Sequence, residues 1–255
     1  MDFNEKKVTK ELLIWLRNWF EVNGKDCNAI IGISGGKDST VTAALCVEAL
    51  GKDRVFGVLM PNGDQMDIGD SFRVCDCLGI DHEVVNIKRL VDEEIRLTKE
   101  VLAKRGKQIT NQTLNNLPAR IRMATLYAIS QSMNGRVINT CNLSEEWVGY
   151  STRWGDSVGD VAPLANLTVE EVRKVGLELG LPYDLVYKTP SDGLCGKTDE
   201  DSLGFTYAAL DKYLRTGECD PEVQALIDRK HKINEFKLKE IPKFEYGKVL
   251  AKVRW

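Results

Sequence analysis

The stretch 30–39 constrains the fold more than any other part of the sequence, because it reads as a buried strand that ends at two glycines and continues into a helix. Ile30 and Ile31 are β-branched, as buried strands favour, and an alanine-rich helical run follows the glycines. The adjacent Gly35 and Gly36 permit backbone conformations that a Cβ forbids, so successive N–H groups can point into one concavity. Together with the amino-terminal end of the helix, this turn predicts an anion site, for which phosphate is the natural ligand.

The loop differs from a Walker A sequence in one position. In Walker A a hydroxyl residue directly follows the lysine, whereas here Asp38 stands between Lys37 and Ser39. A carboxylate beside bound phosphates would repel them unless a divalent cation lies between, so Asp38 implies Mg²⁺. The run Ser-Gly-Gly-x-Asp-Ser resembles the PP-loop signature of the ATP pyrophosphatases, which hold the β,γ-pyrophosphate as a leaving group and transfer AMP. The competing interpretation is an ordinary glycine turn, or a nucleotide fold of another kind.

Length and composition favour one globular α/β domain over residues 1–255, with a carboxyl-terminal tail from 235. The 38 acidic and 35 basic residues nearly cancel, and no long basic block occurs, so nucleic acid is not an expected partner. We find neither a signal peptide nor a membrane-spanning run, and we therefore expect a soluble cytoplasmic protein without a membrane partner. The seven scattered cysteines indicate buried structural thiols, and they fit neither a disulfide framework nor a zinc site.

Strand-like and helix-like segments alternate along the chain, which predicts a doubly wound, mostly parallel sheet flanked by helices. Further strands are expected at 54–60, 82–87 and 136–140, and helices at 7–20, 43–50, 67–78, 95–105, 113–132, 168–180, 203–214 and 222–234. Ligands of such sheets sit beyond the carboxyl ends of the strands, where the strand order reverses. The glycine turn and the residues after Thr140 should therefore share that edge.

Four local features of the chain are also predicted. Pro118 predicts a helix start or a kink near 116–117. The aromatic-rich first helix is expected to face the core, with a second subunit as the alternative. The glycine- and aspartate-rich stretch 147–166 is expected to be irregular. The loop 187–201 has the length of a mobile lid.

Six ordered sequence islands resemble the ammonia-dependent NAD synthetase family of PP-loop ATP pyrophosphatases, over about residues 10–245. They are the glycine loop at 32–39, Pro-Ala-Arg-Ile-Arg-Met at 118–123, Asn-Thr-Cys-Asn-Leu-Ser-Glu-Glu at 139–146, Gly-Asp at 155–156 with Gly-Asp-Val-Ala-Pro-Leu at 159–164, Pro-Ser-Asp-Gly-Leu at 190–194, and His-Lys at 231–232. This resemblance implies a Rossmann-like sheet of the adenine nucleotide α-hydrolase type.

The resemblance also implies amidation of deamido-NAD by ammonia with Mg²⁺ and ATP, through an adenylate and without a covalent enzyme nucleophile. A homodimer is implied as well. ATP would be bound by Gly32, Ile33, Ser34, Gly35, Gly36, Lys37, Asp38, Ser39, Thr140 and Ser191, and the metal by Asp38 and Glu145. Deamido-NAD would be bound by Arg120, Arg153, Asp160, His231 and Lys232.

Four of these residues also have a plain structural interpretation. Glu145 suits a helix cap, Arg120 a helix surface, Asp160 a turn and His231 a solvated face. Three positions depart from the family pattern: Val169 replaces a lysine that reaches ATP, Ser191 a frequent threonine and Arg153 a frequent lysine. Lys37, Lys174 and Lys188 are candidates for the charge missing at position 169.

Two alternative functions remain open at this point. Another PP-loop enzyme, such as the synthetase part of GMP synthase or a tRNA-modifying thiolase, shares the loop. A thiolase would be expected to carry catalytic cysteines and a basic RNA surface. A non-catalytic nucleotide sensor of the universal stress type shares the sheet, but it would not need both Asp38 and Glu145.

Overall fold

The computed structural model describes residues 3–187, 199–244 and 246. A four-stranded parallel sheet lies at its centre, in the order β3-β2-β1-β4. The strands are β1 (Asn28–Gly32), β2 (Val55–Leu59), β3 (Asp81–Val84) and β4 (Gly135–Val137). An isolated parallel bridge between Ile138 and Val161 lies just past the end of β4. The strand order reverses between β1 and β4, so the predicted topology is confirmed and the glycine loop leaves the sheet at the switch point.

Eleven α-helices accompany the strands among the described residues. They are α1 (Glu5–Asn23), α2 (Lys37–Leu50), α3 (Ile68–Leu78), α4 (Lys88–Ala103), α5 (Asn111–Ser132), α6 (Leu143–Trp147), α7 (Val169–Glu178), α8 (Tyr183–Val186), α9 (Asp199–Leu203), α10 (Tyr207–Thr216) and α11 (Pro221–Leu238). Within this part of the chain, no helix is both long and apolar enough to cross a bilayer.

Both faces of the sheet are covered by apolar side chains. Ala29 and Ile31 belong to a core cluster with residues of α1, α2 and α7, whereas Ile30 between them packs with Val58 and residues of α4 and α5. Successive strand residues point to opposite faces, so this alternation places a helical layer on each side. The doubly wound arrangement follows directly.

A third apolar cluster joins the carboxyl-terminal helices to α6 and α7. It contains Val148, Val169, Tyr207, Leu210 and Ile227. This cluster sets where α10 and α11 lie relative to α6, and therefore what surrounds the segment that follows β4.

The first helix agrees with its prediction only in part. Leu16 and Phe20 are buried and Trp19 packs against the core. Trp15, by contrast, leaves 45% of its surface exposed. The aromatic stripe is wider than the face that the core covers.

Several element boundaries differ from those predicted. The strand expected at 82–87 ends at Val84, and the following helix begins at Lys88, earlier than 95. The helix expected at 203–214 is present but begins later and continues to Thr216: α9 ends at Leu203, Gly204 takes a φ of +83°, and α10 begins at Tyr207. The α11 helix continues to Leu238, so the predicted tail starts as helix. Of the predicted lid, residues 188–198 lie outside the described residues.

Pro118 lies within α5, so the helix start, one of its two predicted effects, is wrong, and the kink stays a prediction. The helix begins earlier, at Asn111, where the Thr110 side chain accepts a hydrogen bond from the amide of Thr113. Proline removes a single intrahelical donor from a 22-residue helix, and the turns on either side maintain it.

The described cysteines are unpaired, as the sequence suggested. Cys27, Cys46, Cys75 and Cys141 are buried, in agreement with their interpretation as structural thiols. Cys77 is exposed and Cys219 is partly buried, so the prediction of buried thiols does not hold for every described cysteine.

Candidate active site at the glycine loop

The glycine loop joins β1 to α2 and packs against the amino-terminal part of α3. Gly35 adopts a φ of +77°, a left-handed conformation that side chains disfavour. A Cβ at this position would lie 2.8 Å from the Cβ of Asp70 and 2.9 Å from the amide nitrogen of Ser71. Glycine is therefore required at position 35 on two independent grounds.

Hydroxyl groups hold the loop in its curved shape. The amide of Gly36 donates to Ser34 Oγ at 3.2 Å, and the amide of Ser34 donates to Ser39 Oγ at 3.3 Å. The hydroxyls of Ser39 and Thr40 donate to the carbonyl of Gly36, at 3.1 and 2.8 Å. Gly36 is the N-cap of α2 and has no side chain to cap the first turn. The positive end of α2 therefore faces the loop as an anion site would require.

Two carboxylates meet beside this loop, one from α2 and one from α6. Lys37 Nζ lies 2.7 Å from Asp38 Oδ2 and 3.4 Å from Glu145 Oε1. The Asn142 amide donates to Asp38 Oδ1 at 3.0 Å, while its oxygen accepts a hydrogen bond from the amide of Glu145, also at 3.0 Å. The structure therefore brings together the two predicted metal ligands, and Asn142 fixes both.

The electrostatics of this group follow from its crowding. Although 18% of the Glu145 side chain remains accessible, the packing around its carboxylate removes water and, together with Asp38, raises its pKa to about 7. Burial opposes the charge on Lys37, but the two carboxylates outweigh it and raise the pKa of the ammonium above its ordinary value. The site carries more negative than positive charge, and a further cation would be stabilised there.

Asn142 and Tyr207 also belong to this site, although neither is among the site residues predicted from the sequence. Asn142 is the N-cap of α6, and its position three residues before Glu145 is a signal that could have indicated its role. The ring of Tyr207 on α10 lies 5.9 Å from Lys37 Nζ. Its sequence separation from the loop gives no comparable signal.

A cavity of about 360 Å³ opens at the switch point of the sheet, a volume within the range of small-molecule sites. Four of the predicted ATP residues line it, and Arg122 closes one side by donating from Nε to the carbonyl of Met60 at 3.0 Å. It is lined by the glycine loop, the residues that follow β2, α5 and the segment after β4, including Gly32, Ile33, Ser34, Met60, Pro61, Arg122, Met123, Thr140 and Asp156. Ser191, which was also predicted to bind ATP, is not among the described residues.

Arg120 and Arg153, predicted to bind the dinucleotide, lie side by side. Arg120 Nε donates to the carbonyl of Arg153 at 3.4 Å. The guanidinium of Arg153 lies 4.9 Å from the Trp154 ring and 5.5 Å from that of Phe236, and its Nη2 donates to the carbonyl of Lys239 at 3.3 Å. Its Nε is buried without a hydrogen-bond partner, so this arginine retains one unused donor.

The remaining predicted dinucleotide residues occupy separate places. Asp160 accepts hydrogen bonds from the amide of Val137 at 2.7 Å and the hydroxyl of Tyr127 at 3.4 Å, which fits the turn-capping interpretation. His231 stacks on Trp147 with centroids 4.0 Å apart, and its Nδ1 is 2.8 Å from the Trp147 carbonyl. These contacts connect α11 to α6.

Position 169, where the family resemblance implies a lysine, contributes packing in this chain. The Val169 side chain is 1% exposed and lies in the cluster that contains Tyr207. Its amide donates to Ser144 Oγ at 3.2 Å. Of the lysines considered as substitutes, Lys37 lies at the acidic pair, and Lys188 is outside the described residues.

The fold and the loop together define an α/β nucleotide-binding protein of the PP-loop class. A family model described as NAD synthase matches residues 8–247, and the chain belongs to that family. The NH₃-dependent NAD⁺ synthetase of Pyrococcus furiosus is 40% identical over 212 residues, which cover 83% of this chain and 78% of that protein.

Two solved structures extend the comparison. An NMN synthetase from Francisella tularensis matches with a TM-score of 0.87 and 30% identity, and the match covers 96% of this chain and 100% of that chain. An NH₃-dependent NAD synthetase from Campylobacter jejuni matches with a TM-score of 0.76 and 29% identity, covering 95% of this chain and 100% of that one.

Proposed function

We propose that this protein is a C–N bond-forming ligase that amidates deamido-NAD to NAD with ammonia and ATP, and that it releases AMP and pyrophosphate in the last step of NAD biosynthesis. Family membership and similarity to NH₃-dependent NAD synthetases support this function. The observation that carries the proposal is the meeting of Asp38 and Glu145 beside the glycine loop. A nucleotide sensor has no need for two carboxylates where a triphosphate would lie.

The chemistry explains why these groups are required. A carboxylate is a poor acyl donor because its oxide does not leave, so its oxygen first attacks the α-phosphorus of ATP and pyrophosphate departs. Ammonia then attacks the acyl-adenylate and AMP leaves. The loop amides and the amino terminus of α2 hold the departing pyrophosphate, and positioning with charge stabilisation supplies most of the catalysis in such transfers.

The acidic pair fits a magnesium site. Two carboxylates with phosphate oxygens and water form an ordinary Mg²⁺ environment, and no third His, Cys, Asp or Glu joins them in the part of the chain that the structure describes. We therefore propose Asp38 and Glu145 as the protein ligands. Bound there, the ion would neutralise charge on the triphosphate.

The substrate contacts at Arg120, Arg153, Asp160, His231 and Lys232 remain part of the proposal, as do the ATP contacts of the loop, Thr140 and Ser191. The paired arginines have the strongest support, because Arg153 retains a buried unpaired Nε. Guanidinium groups bind phosphate or carboxylate through two parallel donors. Asp160 has the weakest support, since the backbone of β4 already uses its carboxylate.

A homodimer and a cytoplasmic location also stay predictions. The surface of α4 supports the dimer, since Leu90, Leu97 and Val101 expose 53%, 42% and 62% of their surfaces. In the neighbouring α5, only Ser130 of the 22 residues is fully buried. Sedimentation equilibrium of the purified protein would decide the oligomeric state.

Nicotinate mononucleotide is a second candidate substrate. The NMN synthetase structure matches this chain with a TM-score of 0.87, against 0.76 for the Campylobacter NAD synthetase. Its product would be NMN, formed by the same adenylation and amidation. Both substrates present the carboxylate that the site would activate, so they differ in the groups bound away from the reacting centre.

Purified protein supplied with ammonium, Mg²⁺ and ATP tests both candidates. Deamido-NAD, nicotinate mononucleotide and xanthosine monophosphate would be compared by kcat/KM, and the nucleotide products separated by chromatography. We expect NAD, AMP and pyrophosphate in equal amounts. Turnover of xanthosine monophosphate alone, or ADP and phosphate as products, would contradict the proposal.

A further inference from the structure

Lys37 lies where an incoming metal ion would have to bind. Its side chain is 6% exposed, and its ammonium contacts Asp38 Oδ2 and Glu145 Oε1. Lysine is seldom buried to this degree unless it is paired, and here it is paired with both carboxylates at once. The ammonium therefore performs in this structure the neutralising role that a divalent cation would have.

The two groups would compete for the same oxygen atoms. Asp38 Oδ1 already accepts a hydrogen bond from Asn142, so Oδ2 is the oxygen of Asp38 that is directed to a cation, and Lys37 holds it at 2.7 Å. The contact with Glu145 Oε1, at 3.4 Å, links the ammonium to the second ligand. A metal that joins both carboxylates must displace Lys37 from at least one.

We propose that Lys37 is an internal counter-ion that competes with the divalent metal for Asp38 and Glu145, so that metal binds strongly only together with a triphosphate. The phosphates provide additional metal ligands and a new anionic partner for the displaced ammonium. The inference rests on the proposed use of a magnesium nucleotide, and it assigns Lys37 control over the order in which metal and nucleotide enter. Lys37 acts on the metal through the two carboxylates.

The test is Mn²⁺ binding to the whole protein, followed by the electron paramagnetic resonance of free Mn²⁺, with and without α,β-methylene-ATP. In the wild type we expect weak Mn²⁺ binding alone and much tighter binding with the nucleotide. Lys37→Met should bind Mn²⁺ without nucleotide about tenfold more tightly or better, because the competing charge is gone. Lys37→Arg keeps the charge and should remain weak. Adding Glu145→Gln to Lys37→Met should abolish the gain.

Two results would overturn the inference. One is a folded Lys37→Met protein, verified by circular dichroism, whose Mn²⁺ affinity without nucleotide equals that of the wild type. The other needs no variant: wild-type protein that binds Mn²⁺ as tightly alone as with the nucleotide analogue. Because the readout is metal binding, failure of NAD formation with the expected Mn²⁺ behaviour would refute the proposed function alone. Lys37→Gln provides a second uncharged variant if Lys37→Met does not fold.

Discussion

Ser144 Oγ donates a hydrogen bond to Asp211 Oδ1 at 2.6 Å, and this bond connects the helix that carries Glu145 to α10. The other oxygen of Asp211 accepts from the amide of Glu170 at 2.9 Å, at the start of α7. Asp211 is buried, which raises the pKa of its carboxyl despite these bonds. One buried carboxylate thus joins three helices around the proposed metal ligand.

Asp211→Asn should weaken the site as well as the fold. An amide offers one acceptor oxygen in place of two, so one buried donor loses its partner and the free energy of unfolding falls by about 1–3 kcal/mol. We also expect a higher Mg²⁺ concentration for half-maximal activity, since α6 is less firmly placed. Asp228→Asn is the control, because Asp228 accepts a bond from Tyr213 at an exposed site. A destabilised Asp211→Asn protein with unchanged Mg²⁺ dependence would limit Asp211 to stability.

Gly35→Ala should lower the free energy of unfolding by more than backbone strain alone would. At Gly35 the added Cβ meets α3, whereas at Gly217, with a φ of +74°, nothing lies within 4 Å. Gly217→Ala should therefore lower the free energy of unfolding only by the cost of a left-handed alanine, about 1–2 kcal/mol. Gly35→Ala should lower it further, as measured by urea unfolding, and should also weaken ATP binding, as measured by calorimetric titration. Equal losses in the two variants, with ATP affinity intact in Gly35→Ala, would argue against a tightly packed loop.

Asp38→Asn should remove activity and leave the fold. The Asn142 amide keeps an acceptor, Lys37 keeps Glu145, and removal of one of two adjacent carboxylates relieves their repulsion. We expect kcat to fall about a hundredfold or more, as for the loss of a group that stabilises transition-state charge. The exposed Asp53→Asn is the matched control. A kcat of Asp38→Asn equal to that of the control would show that Asp38 has no part in the mechanism.

The buried thiol of Cys46 should make the protein less stable at alkaline pH. It is fully buried, and burial raises the pKa of its thiol from 9.0 to about 12. The unfolded chain loses this proton first, so the contribution is complete below pH 9 and declines as pH rises from about 9 towards about 12. Between pH 8 and pH 10 this amounts to about 1.4 kcal/mol.

Cys46→Ala isolates this term, because its cavity cost is the same at both pH values. Between pH 8 and pH 10, the free energy of unfolding should fall by about 1.4 kcal/mol less in the variant than in the wild type, as measured by urea unfolding. Identical drops in the two proteins would mean that the Cys46 thiol does not remain protonated in the fold. Cys77→Ala, at an exposed position, should leave the wild-type drop unchanged.

The sequence predicted the features that depend on local pattern and on topology. Buried strands carry β-branched residues and parallel strands end at one edge, so the approach of the glycine loop to Thr140 could be foreseen. The proximity of Asp38 to Glu145 was expected from the family resemblance, and in the structure both carboxylates contact Lys37.

Other features depend on packing that a single sequence does not encode locally. The break at Gly204 was hidden by apolar residues that continue the helical pattern into α10. Tyr207 reaches Lys37 only because a cluster containing Val169 and Leu210 positions α10. His231 had suggested a solvated surface, but its stacking on Trp147 arises between distant helices. Such contacts are decided by tertiary structure.

In the proposed mechanism, the substrate carboxylate is activated by adenylation. Deamido-NAD labelled with ¹⁸O in both carboxylate oxygens, incubated with the protein, Mg²⁺, ATP and ammonium, tests this most directly by mass spectrometry of the separated nucleotides. Adenylation predicts AMP that carries one ¹⁸O in its phosphate, because the carboxylate oxygen leaves with the adenylyl group. Formation of NAD with unlabelled AMP, or with ¹⁸O in inorganic phosphate, would contradict it.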